Sequence, residues 1–193
     1  MAKDIEKLLR DNDGLLTGHF CLTSGLHSDV YFQCAKLYEN PKVVETLGRE
    51  LAKKLKEIEF DTIVSPAIGA IIIGYETAKQ AGKRNLFVER KEGVLQLRRN
   101  YELKRKERVI ILEDVITTAK TINETCEAIR GFEPEIVGVA CIVDRTCGKT
   151  GYNITSLLQV SPVTYEPKDC PLCAKNFPLI KPGSREATNA KPN

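Results

Sequence analysis

Two adjacent carboxylates are the residues of this sequence best suited to chemistry. In the stretch RVIILEDVITTAKT, Glu113 and Asp114 end an apolar run that has the composition of a buried strand. Carboxylate oxygens at such a strand end can accept hydrogen bonds from two vicinal hydroxyl groups, and a ribose offers such a pair. The pattern therefore favours a sugar-binding site at this point of the chain.

The residues that follow supply groups that bind phosphate. Thr117, Thr118 and Thr121 lie at a turn that opens a predicted helix, where hydroxyl groups and unpaired backbone N–H groups can surround an anion. Carboxylates for a sugar followed at once by a phosphate cradle indicate a ribose-phosphate site. The residues alone leave an alternative open, in which the two acids are ordinary polar residues and Thr121 is a helix N-cap.

Two common nucleotide-binding motifs are absent from the sequence. A dinucleotide-binding fold would show G-x-G-x-x-G after a strand, and a P-loop would show G-x-x-x-x-G-K followed by Ser or Thr. Neither pattern occurs in the 193 residues. The ribose-phosphate site must therefore belong to another class of protein.

Alternating strand and helix patterns position these groups. Residues 3–11 are predicted to form a helix, and GLLTGHFCLTSG and SDVYFQCAK an antiparallel pair of strands; a helix over PKVVETLGRELAKKLKEI follows. The chain then alternates between the strands DTIVSPA, NLFVER, RVIILED and EIVGVACIVDR and the helices GAIIIGYETAKQAG and KTINETCEAIRG, which end in Gly82 and Gly131. This order predicts an α/β fold with a mostly parallel central sheet flanked by helices.

Ligands of parallel sheets bind beyond the carboxyl ends of the strands. We therefore expect residues 65–69, 113–121 and 144–145 to converge on one cleft. The charge-rich segment from residue 89 to residue 108, ERKEGVLQLRRNYELKRKER, is predicted to be an exposed hairpin or a mobile loop.

Composition excludes several function classes. The net charge is +3, with 29 basic against 26 acidic residues, and this field is too weak to predict binding of nucleic acid or of a membrane surface. No apolar stretch has the length of a signal-peptide core or of a membrane span. The sequence therefore predicts a cytoplasmic protein, and its length predicts a single domain.

The cysteines raise the question of a metal. Cys170 and Cys173, in DCPLC, have the spacing of metal ligands, but a structural zinc site requires four ligands and no second pair accompanies them. Redox pairing of these two thiols is one alternative; for a reducing cytoplasm we predict two free thiols, and no metal bound by protein side chains. His19 and His27 are predicted to be structural or to lie near the substrate.

The stretch EDVITTAKT resembles the signature for phosphoribosyl pyrophosphate (PRPP) in type I phosphoribosyltransferases, two acids followed by V-x-T-T-G-x-S or T. Nearly the whole chain resembles the orotate phosphoribosyltransferase family, through GHFCLTSGLHSDVYFQCAKL, SPAIGAIIIGYETAKQAG, ERKEGVLQLRRNYEL, VGVACIVDRT and YEPKDCPLCAKNFPLIKPGSR. The resemblance implies the type I fold, with a small N-terminal hood (mainly residues 1–40), a core (41–160), a C-terminal extension (161–193) and a mobile loop.

The resemblance also implies roles for individual residues. Catalysis would rest on Glu113, Asp114, Arg90 and Lys91. The residues implied to bind PRPP are Glu113, Asp114, Val115, Ile116, Thr117, Thr118, Ala119, Lys120 and Thr121, with Ile68 and Gly69 of the SPAIGA pyrophosphate loop. Those implied to approach orotate are Thr117, Arg145, Tyr31 and Phe32. A planar guanidinium suits a carboxylate, although a surface ion pair with Asp144 is the alternative for Arg145.

The implied reaction transfers the 5-phosphoribosyl group of PRPP to orotate, giving orotidine 5′-monophosphate and pyrophosphate in pyrimidine biosynthesis. It implies Mg²⁺, held mostly by phosphate and hydroxyl oxygens, and a homodimer in which Arg90 and Lys91 act on the neighbouring subunit's site. Two positions depart from the family pattern, Ala119 for a glycine and Val94 for a loop lysine. A Cβ at residue 119 is expected to strain the turn or crowd the phosphate. Two alternatives stay open, a PRPP-binding regulator and a transferase for another base.

Overall fold

Strands and helices alternate through the middle of the chain, in a computed structural model that describes residues 2–22, 24–161 and 163–182. The helices are α1 (Ala2–Asp11), α2 (Cys34–Leu37), α3 (Pro41–Leu55), α4 (Ile71–Ala81), α5 (Lys120–Ile129) and α6 (Pro171–Ala174). The strands are β1 (Leu15–Cys21), β2 (His27–Phe32), β3 (Thr62–Pro66), β4 (Arg84–Lys91), β5 (Val94–Leu97), β6 (Arg108–Ile116), β7 (Glu135–Asp144), β8 (Ile154–Gln159) and β9 (Thr164–Tyr165).

Six strands form the central sheet, in the order β5-β4-β3-β6-β7-β8. Neighbouring strands are parallel except at the edge, where β5 pairs antiparallel with β4. The α/β fold with a mostly parallel sheet is therefore confirmed. Strand β8 is not among the elements that the sequence pattern predicts.

Strand β6 lies inside the sheet and is apolar on both faces. Ile110 and Leu112 belong to one core cluster, which includes residues of α1, α3 and α4, while Val109 and Ile111 belong to a second, which includes residues of α5 and the β4–β5 hairpin. All four side chains are fully buried, and burial of each is worth about 1.5–3 kcal/mol. The apolar run in the sequence therefore fixes a rigid strand that leads into the acids.

Helix boundaries follow local sequence signals, with one exception. Helix α3 begins at Pro41, and the Asn40 side chain accepts a hydrogen bond of 3.2 Å from the backbone N–H of Lys42. Helix α4 ends at Gly82, whose φ of 64° is left-handed. The predicted end of α5 at Gly131 is wrong, because a 3-10 turn over Arg130–Phe132 follows the helix and Glu133 takes the left-handed conformation.

A second, antiparallel sheet of order β1-β2-β9 forms the hood. Its third strand comes from the C-terminal extension, so the two ends of the described chain meet there. The predicted strand SDVYFQCAK is wrong in its second half, because the chain turns after Phe32 into α2 and buries Cys34 and Leu37. Residues 183–193 of the predicted extension lie outside the described residues.

The charge-rich segment begins as a hairpin, as predicted. Strands β4 and β5 pair antiparallel, with Lys91 opposite Val94 and Glu92 and Gly93 at the turn. Both turn residues have positive φ, 52° and 85°, as two-residue hairpins require. In the described part of the chain, no helix has the length and apolar character needed to cross a membrane.

Candidate active site

The three segments expected to converge do so around Asp114. A Cβ added to Gly69 would lie 2.9 Å from Oδ2 of Asp114, so the loop after β3 passes directly over the acid. On the other side, the backbone N–H of Arg145 donates a hydrogen bond of 2.8 Å to the carbonyl oxygen of Ile116. The three segments therefore lie close together, as predicted, but no residue of 65–69 is among the walls of the cleft that holds the other two. Strand β6 continues to Ile116 and so carries both acids within the strand.

The two acids are partly buried, and their surroundings oppose ionisation. Burial and, less strongly, the negative charge of Asp114 raise the pKa of Glu113 to about 8, against the opposing effects of a backbone hydrogen bond and of the positive charge of Arg90. Burial also raises the pKa of Asp114, although the backbone N–H of Val115 donates a hydrogen bond of 2.7 Å to its Oδ1.

Oε2 of Glu113 is buried and has no hydrogen-bond partner among the described residues. A buried carboxyl oxygen without a partner costs free energy, so this side chain gains from a ligand that brings hydroxyl groups or cations. Perturbed acids of this kind are typical of functional sites.

A cleft of about 440 Å³ opens beside the acids. Its walls contain residues predicted to bind PRPP or orotate, and also Leu22 and Ser24, which the sequence analysis did not identify. The lining residues are Leu22, Ser24, Tyr31, Phe32, Asp114, Val115, Thr117, Thr118 and Arg145. Leu22 and Ser24 connect β1 to β2. They fall inside the family-like segment GHFCLTSGLHSDVYFQCAKL, which is the signal that would have identified them.

Arg145 lines the cleft as a partly buried cation. Its guanidinium carbon lies 5.7 Å from the centre of the Phe32 ring, and its Nε is buried without a hydrogen-bond partner among the described residues. Burial lowers its pKa. The alternative of an ion pair with Asp144 is wrong within the described structure, because Asp144 accepts hydrogen bonds from the Thr146 backbone and Gln159. A partly buried guanidinium whose Nε lacks a described hydrogen-bond partner suits an anionic ligand in the cleft.

The turn before α5 is free for an anion. Residue 119, not Thr121, occupies the N-cap position, and Ala119 offers no side-chain hydrogen bond, so the N-cap alternative for Thr121 is wrong. Ala119 has φ of −76°, which any residue adopts, and the expected backbone strain is therefore absent. Thr117, Thr118 and Ala119 also line a second cleft of about 530 Å³. The Lys120 backbone N–H donates a long hydrogen bond of 3.4 Å to Oγ1 of Thr118, and the side chain of the N-cap residue binds none of the N–H groups of the first turn, which favours phosphate binding there.

The hairpin brings Arg90 toward the acids of its own chain. Arg90 donates a hydrogen bond of 2.8 Å to the carbonyl oxygen of Gly93 and forms an ion pair with Glu124 of α5. Lys91 and Val94 are exposed at the end of the hairpin. Ile68, in the predicted pyrophosphate loop, is also exposed.

Tyr38 is a further residue that the sequence analysis missed. Its hydroxyl is buried without a hydrogen-bond partner among the described residues, and burial together with the charge of Asp114 raises its pKa. No motif marks this tyrosine, because its position depends on how α2 packs against the sheet.

Comparisons with known proteins agree with this geometry. Residues 33–152 match the model of the phosphoribosyl transferase domain. An orotate phosphoribosyltransferase of Caldicellulosiruptor saccharolyticus is 43% identical over 93% of this chain and 95% of its own length. One of Caldanaerobacter subterraneus subsp. tengcongensis is 46% identical over 88% of this chain and 90% of its own length.

A solved structure shares the fold. The crystal structure of orotate phosphoribosyltransferase from Aeropyrum pernix matches with a TM-score of 0.68 at 21% identity, over 81% of this chain and 93% of that one. With the domain match and the full-length relatives, this establishes that the chain belongs to the phosphoribosyltransferase family and, within it, groups with the orotate phosphoribosyltransferases.

Proposed function

We propose that the protein transfers the 5-phosphoribosyl group of PRPP to orotate, giving orotidine 5′-monophosphate and pyrophosphate in pyrimidine biosynthesis. The observation that carries this proposal is one continuous site, in which the partly buried acids of β6 are followed directly by the start of α5, whose N-cap residue Ala119 makes no side-chain hydrogen bond. The close relatives named orotate phosphoribosyltransferase support orotate as the acceptor. The separate alternative of a PRPP-binding regulator has no support in these comparisons.

The residues take complementary roles on PRPP. Glu113 and Asp114 accept hydrogen bonds from the ribose hydroxyls, and their ionised forms favour the positive charge that develops on the sugar as the bond to pyrophosphate breaks. The turn from Thr117 to Thr121 binds the 5′-phosphate through backbone N–H and hydroxyl groups. Gly69, with its close approach to Asp114, lets the loop backbone reach the pyrophosphate.

Orotate occupies the 440 Å³ cleft. Arg145 binds its carboxylate, because its side chain lines the cleft and its buried Nε has no described hydrogen-bond partner. Tyr31 and Phe32 border the base, and the Phe32 ring holds Arg145 in place through its face. The ring nitrogen of orotate is then directed at the anomeric carbon, and pyrophosphate departs on the side of the loop after β3.

Mg²⁺ belongs to this proposal, and the residues present fit it. The unpartnered Oε2 of Glu113 and the oxygens of Asp114 are hard oxygen donors at the edge of the cleft, of the type that Mg²⁺ prefers. They would orient ribose hydroxyls and phosphates around the ion. When bound, the ion supplies charge neutralisation on the departing pyrophosphate.

The direct test is loss of orotate absorbance after addition of PRPP and Mg²⁺. We expect turnover with orotate and none with adenine or hypoxanthine under the same conditions. Turnover of a purine without turnover of orotate would contradict the acceptor assignment. Binding of PRPP without turnover of any base would contradict transferase activity and favour a regulator.

We further propose a cytoplasmic homodimer in which the hairpin acts on the partner's site. Exposed apolar side chains near the site support a second copy as the occupant of this surface, namely Ile68 (85% exposed), Ile72 (46%) and Tyr75 (59%). In this structure Arg90 forms an ion pair with Glu124 of its own chain. This ion pair would have to break before Arg90 could act on the site of the partner subunit.

Subunit mixing tests whether the hairpin acts in trans. A chain with Arg90→Ala and Lys91→Ala, mixed with an Asp114→Asn chain, should regain activity, because some mixed dimers contain one intact site. Exchange must be verified with tagged chains. A mixture no more active than its components, with exchange verified, would show that Arg90 and Lys91 act within their own chain.

A further inference from the structure

Four metal-ligating side chains that no part of the proposed reaction uses meet at the outer edge of the hood. His19 of β1 and His27 of β2 face Cys170 and Cys173, and one ligand atom from each lies within 4.8 Å of all the others. His19, His27 and Cys170 are buried, whereas Cys173 is exposed. The prediction that no second pair of ligands accompanies Cys170 and Cys173 is therefore wrong, because the fold brings the two histidines to them.

We propose that this cluster is a structural zinc site, of Cys₂His₂ type, that fastens the C-terminal extension to the hood. Two thiolates and two imidazoles form a donor set that Zn²⁺ binds tetrahedrally. Binding releases the two thiol protons to solvent as the Zn–S bonds form. The charge of Zn²⁺ balances the two thiolates, and the two imidazoles are neutral, so the occupied site has no net charge, which suits its burial.

Three nitrogen–sulfur distances in the cluster are close to the edges of a zinc tetrahedron. With Zn–S of about 2.3 Å and Zn–N of about 2.0–2.1 Å, nitrogen and sulfur ligands lie about 3.6 Å apart. Nε2 of His19 lies 3.5 Å from Sγ of Cys170 and 3.7 Å from Sγ of Cys173, and Nδ1 of His27 lies 3.3 Å from Sγ of Cys173. The two imidazole nitrogens are 2.9 Å apart and would separate by about 0.4 Å around the ion.

The outer contact of His19 fixes which nitrogen faces the cluster. Nδ1 of His19 lies 2.9 Å from the carbonyl oxygen of Phe177, so this nitrogen carries the proton and donates it to the carbonyl. Nε2 then holds a lone pair directed at the sulfurs and at His27. An imidazole held by a carbonyl on its far side is the usual arrangement of a metal-bound histidine.

The extension needs such a fastening because it has little apolar core. Between residues 163 and 180, Cys170 is the one buried residue, and Phe177, Leu179 and Ile180 are about half exposed. Its backbone contacts with the hood are short, two residue pairs between β9 and β2 and a bridge of Ile180 to β1. Small segments without a sufficient core are commonly stabilised by a metal.

The site also connects to the substrate cleft through the chain. His19 and His27 bracket the connection between β1 and β2, and this connection contributes Leu22 and Ser24 to the cleft. A metal that fixes both strand ends would therefore hold the wall of the orotate cleft. This consequence rests on the proposed function, whereas metal binding itself does not.

Metal content is the primary test. Full-length protein without a polyhistidine tag, produced with zinc in the medium, should contain one zinc per chain by mass spectrometry of the elements. Cys173→Ser and Cys170→Ser should each lose it. Cys147→Ser is the matched control, because Cys147 is an exposed thiol that contacts Ser161 outside the cluster, and it should keep its zinc. Unmodified protein without zinc, or both ligand variants with full zinc, would overturn the proposal.

Cobalt substitution tests the geometry without any variant. Replacing the bound metal with Co²⁺ should give the strong visible bands of a tetrahedral ion and a thiolate-to-cobalt band in the near ultraviolet. Weak octahedral bands, or a disulfide between Cys170 and Cys173 in freshly purified protein, would overturn the site. This measurement remains decisive if Cys170→Ser fails to fold.

Two further readouts separate the metal from the transferase reaction. A chelator should lower the unfolding midpoint of the unmodified protein by on the order of 5 °C or more, and that of Cys173→Ser far less. Cys173→Ser should raise KM for orotate severalfold and KM for PRPP little. Equal chelator effects on the two proteins would overturn the site. Loss of zinc with an unchanged KM for orotate would contradict only the link to the cleft.

Discussion

The two ends of strand β6 hold carboxylates in opposite electrostatic states. At the amino end, Asp61 accepts hydrogen bonds from the Arg108 backbone and side chain at 2.9–3.1 Å, which lowers its pKa to about 2. At the carboxyl end, burial raises the pKa of Glu113 to about 8. At the amino end, the Asp61 carboxylate is paired with donors and stabilises the fold. At the carboxyl end, where we propose that the ligand binds, Oε2 of Glu113 has no hydrogen-bond partner among the described residues.

Glu107 completes the amino-end group. Burial acts to raise its pKa, but hydrogen bonds from Thr62 and from the Lys104 backbone, together with Arg84, outweigh burial and lower it. Every described partner of the Glu107 carboxylate is a donor. A groove of about 710 Å³ lies beside this group, but the carboxylates of Asp61 and Glu107 are already paired, which favours a structural role for this end.

The largest effect should come from Asp114→Asn. The substitution removes the negative charge nearest to the ribose while keeping the shape of the side chain, so we expect kcat/KM to fall by about 10²–10³-fold. Orotate consumption measures it, and circular dichroism verifies the fold. Asp61→Asn is the control at the amino end, and it should keep the kcat of the unmodified protein. Equal losses in both variants would end the distinction between the two ends.

Glu107→Gln should reduce stability rather than turnover. The new amide NH₂ would replace a carboxylate oxygen that now accepts hydrogen bonds, and it would face donor groups that it cannot bind. The free energy of unfolding should therefore fall by about 2 kcal/mol. Urea unfolding measures the loss, and orotate consumption below the transition should give an unchanged kcat. A loss of kcat with full stability would assign this glutamate to the reaction.

The pH dependence of stability should differ between the two ends. The raised pKa of Glu113 makes the folded state bind more protons than the unfolded state between about pH 4.5 and 8, so stability falls as pH rises through this window, by about 1–3 kcal/mol. Asp61, with its lowered pKa, instead loses its contribution as pH falls through about 2. The unfolding midpoint of Glu113→Gln should depend less on pH between pH 5 and 8 than that of the unmodified protein. An unchanged pH dependence would contradict the raised pKa of Glu113.

The smallest effect should come from Ala119→Gly. Because φ at residue 119 is −76°, glycine relieves no backbone strain, and only removal of the methyl group from the phosphate turn can change PRPP affinity. We expect a change in Kd below about threefold, or less than 0.7 kcal/mol, measured by calorimetry. Tighter binding by more than tenfold would show that the methyl group crowds the phosphate.

Local signals predicted most of the sheet and of the acid site. Apolar runs and alternation predicted β3, β4, β6 and β7, and the family resemblance is the basis for the roles proposed for the acids, for the turn before α5 and for Arg145. The cluster proposed to bind zinc was not predicted, because Cys170 and His19 are 151 residues apart in sequence and meet only in the folded hood. The expected backbone strain at residue 119 was wrong, because a glycine in the family motif does not by itself show that the position requires a positive φ.

The most direct test of this account compares Glu113→Gln with Glu107→Gln, the same substitution at the two ends of β6. Orotate consumption and urea unfolding are measured on both variants at pH 7.5. The account predicts that Glu113→Gln loses turnover and keeps or gains stability, while Glu107→Gln loses stability and keeps kcat. Retained turnover in Glu113→Gln together with lower stability would show that the carboxyl-end acids are structural, and would contradict the account.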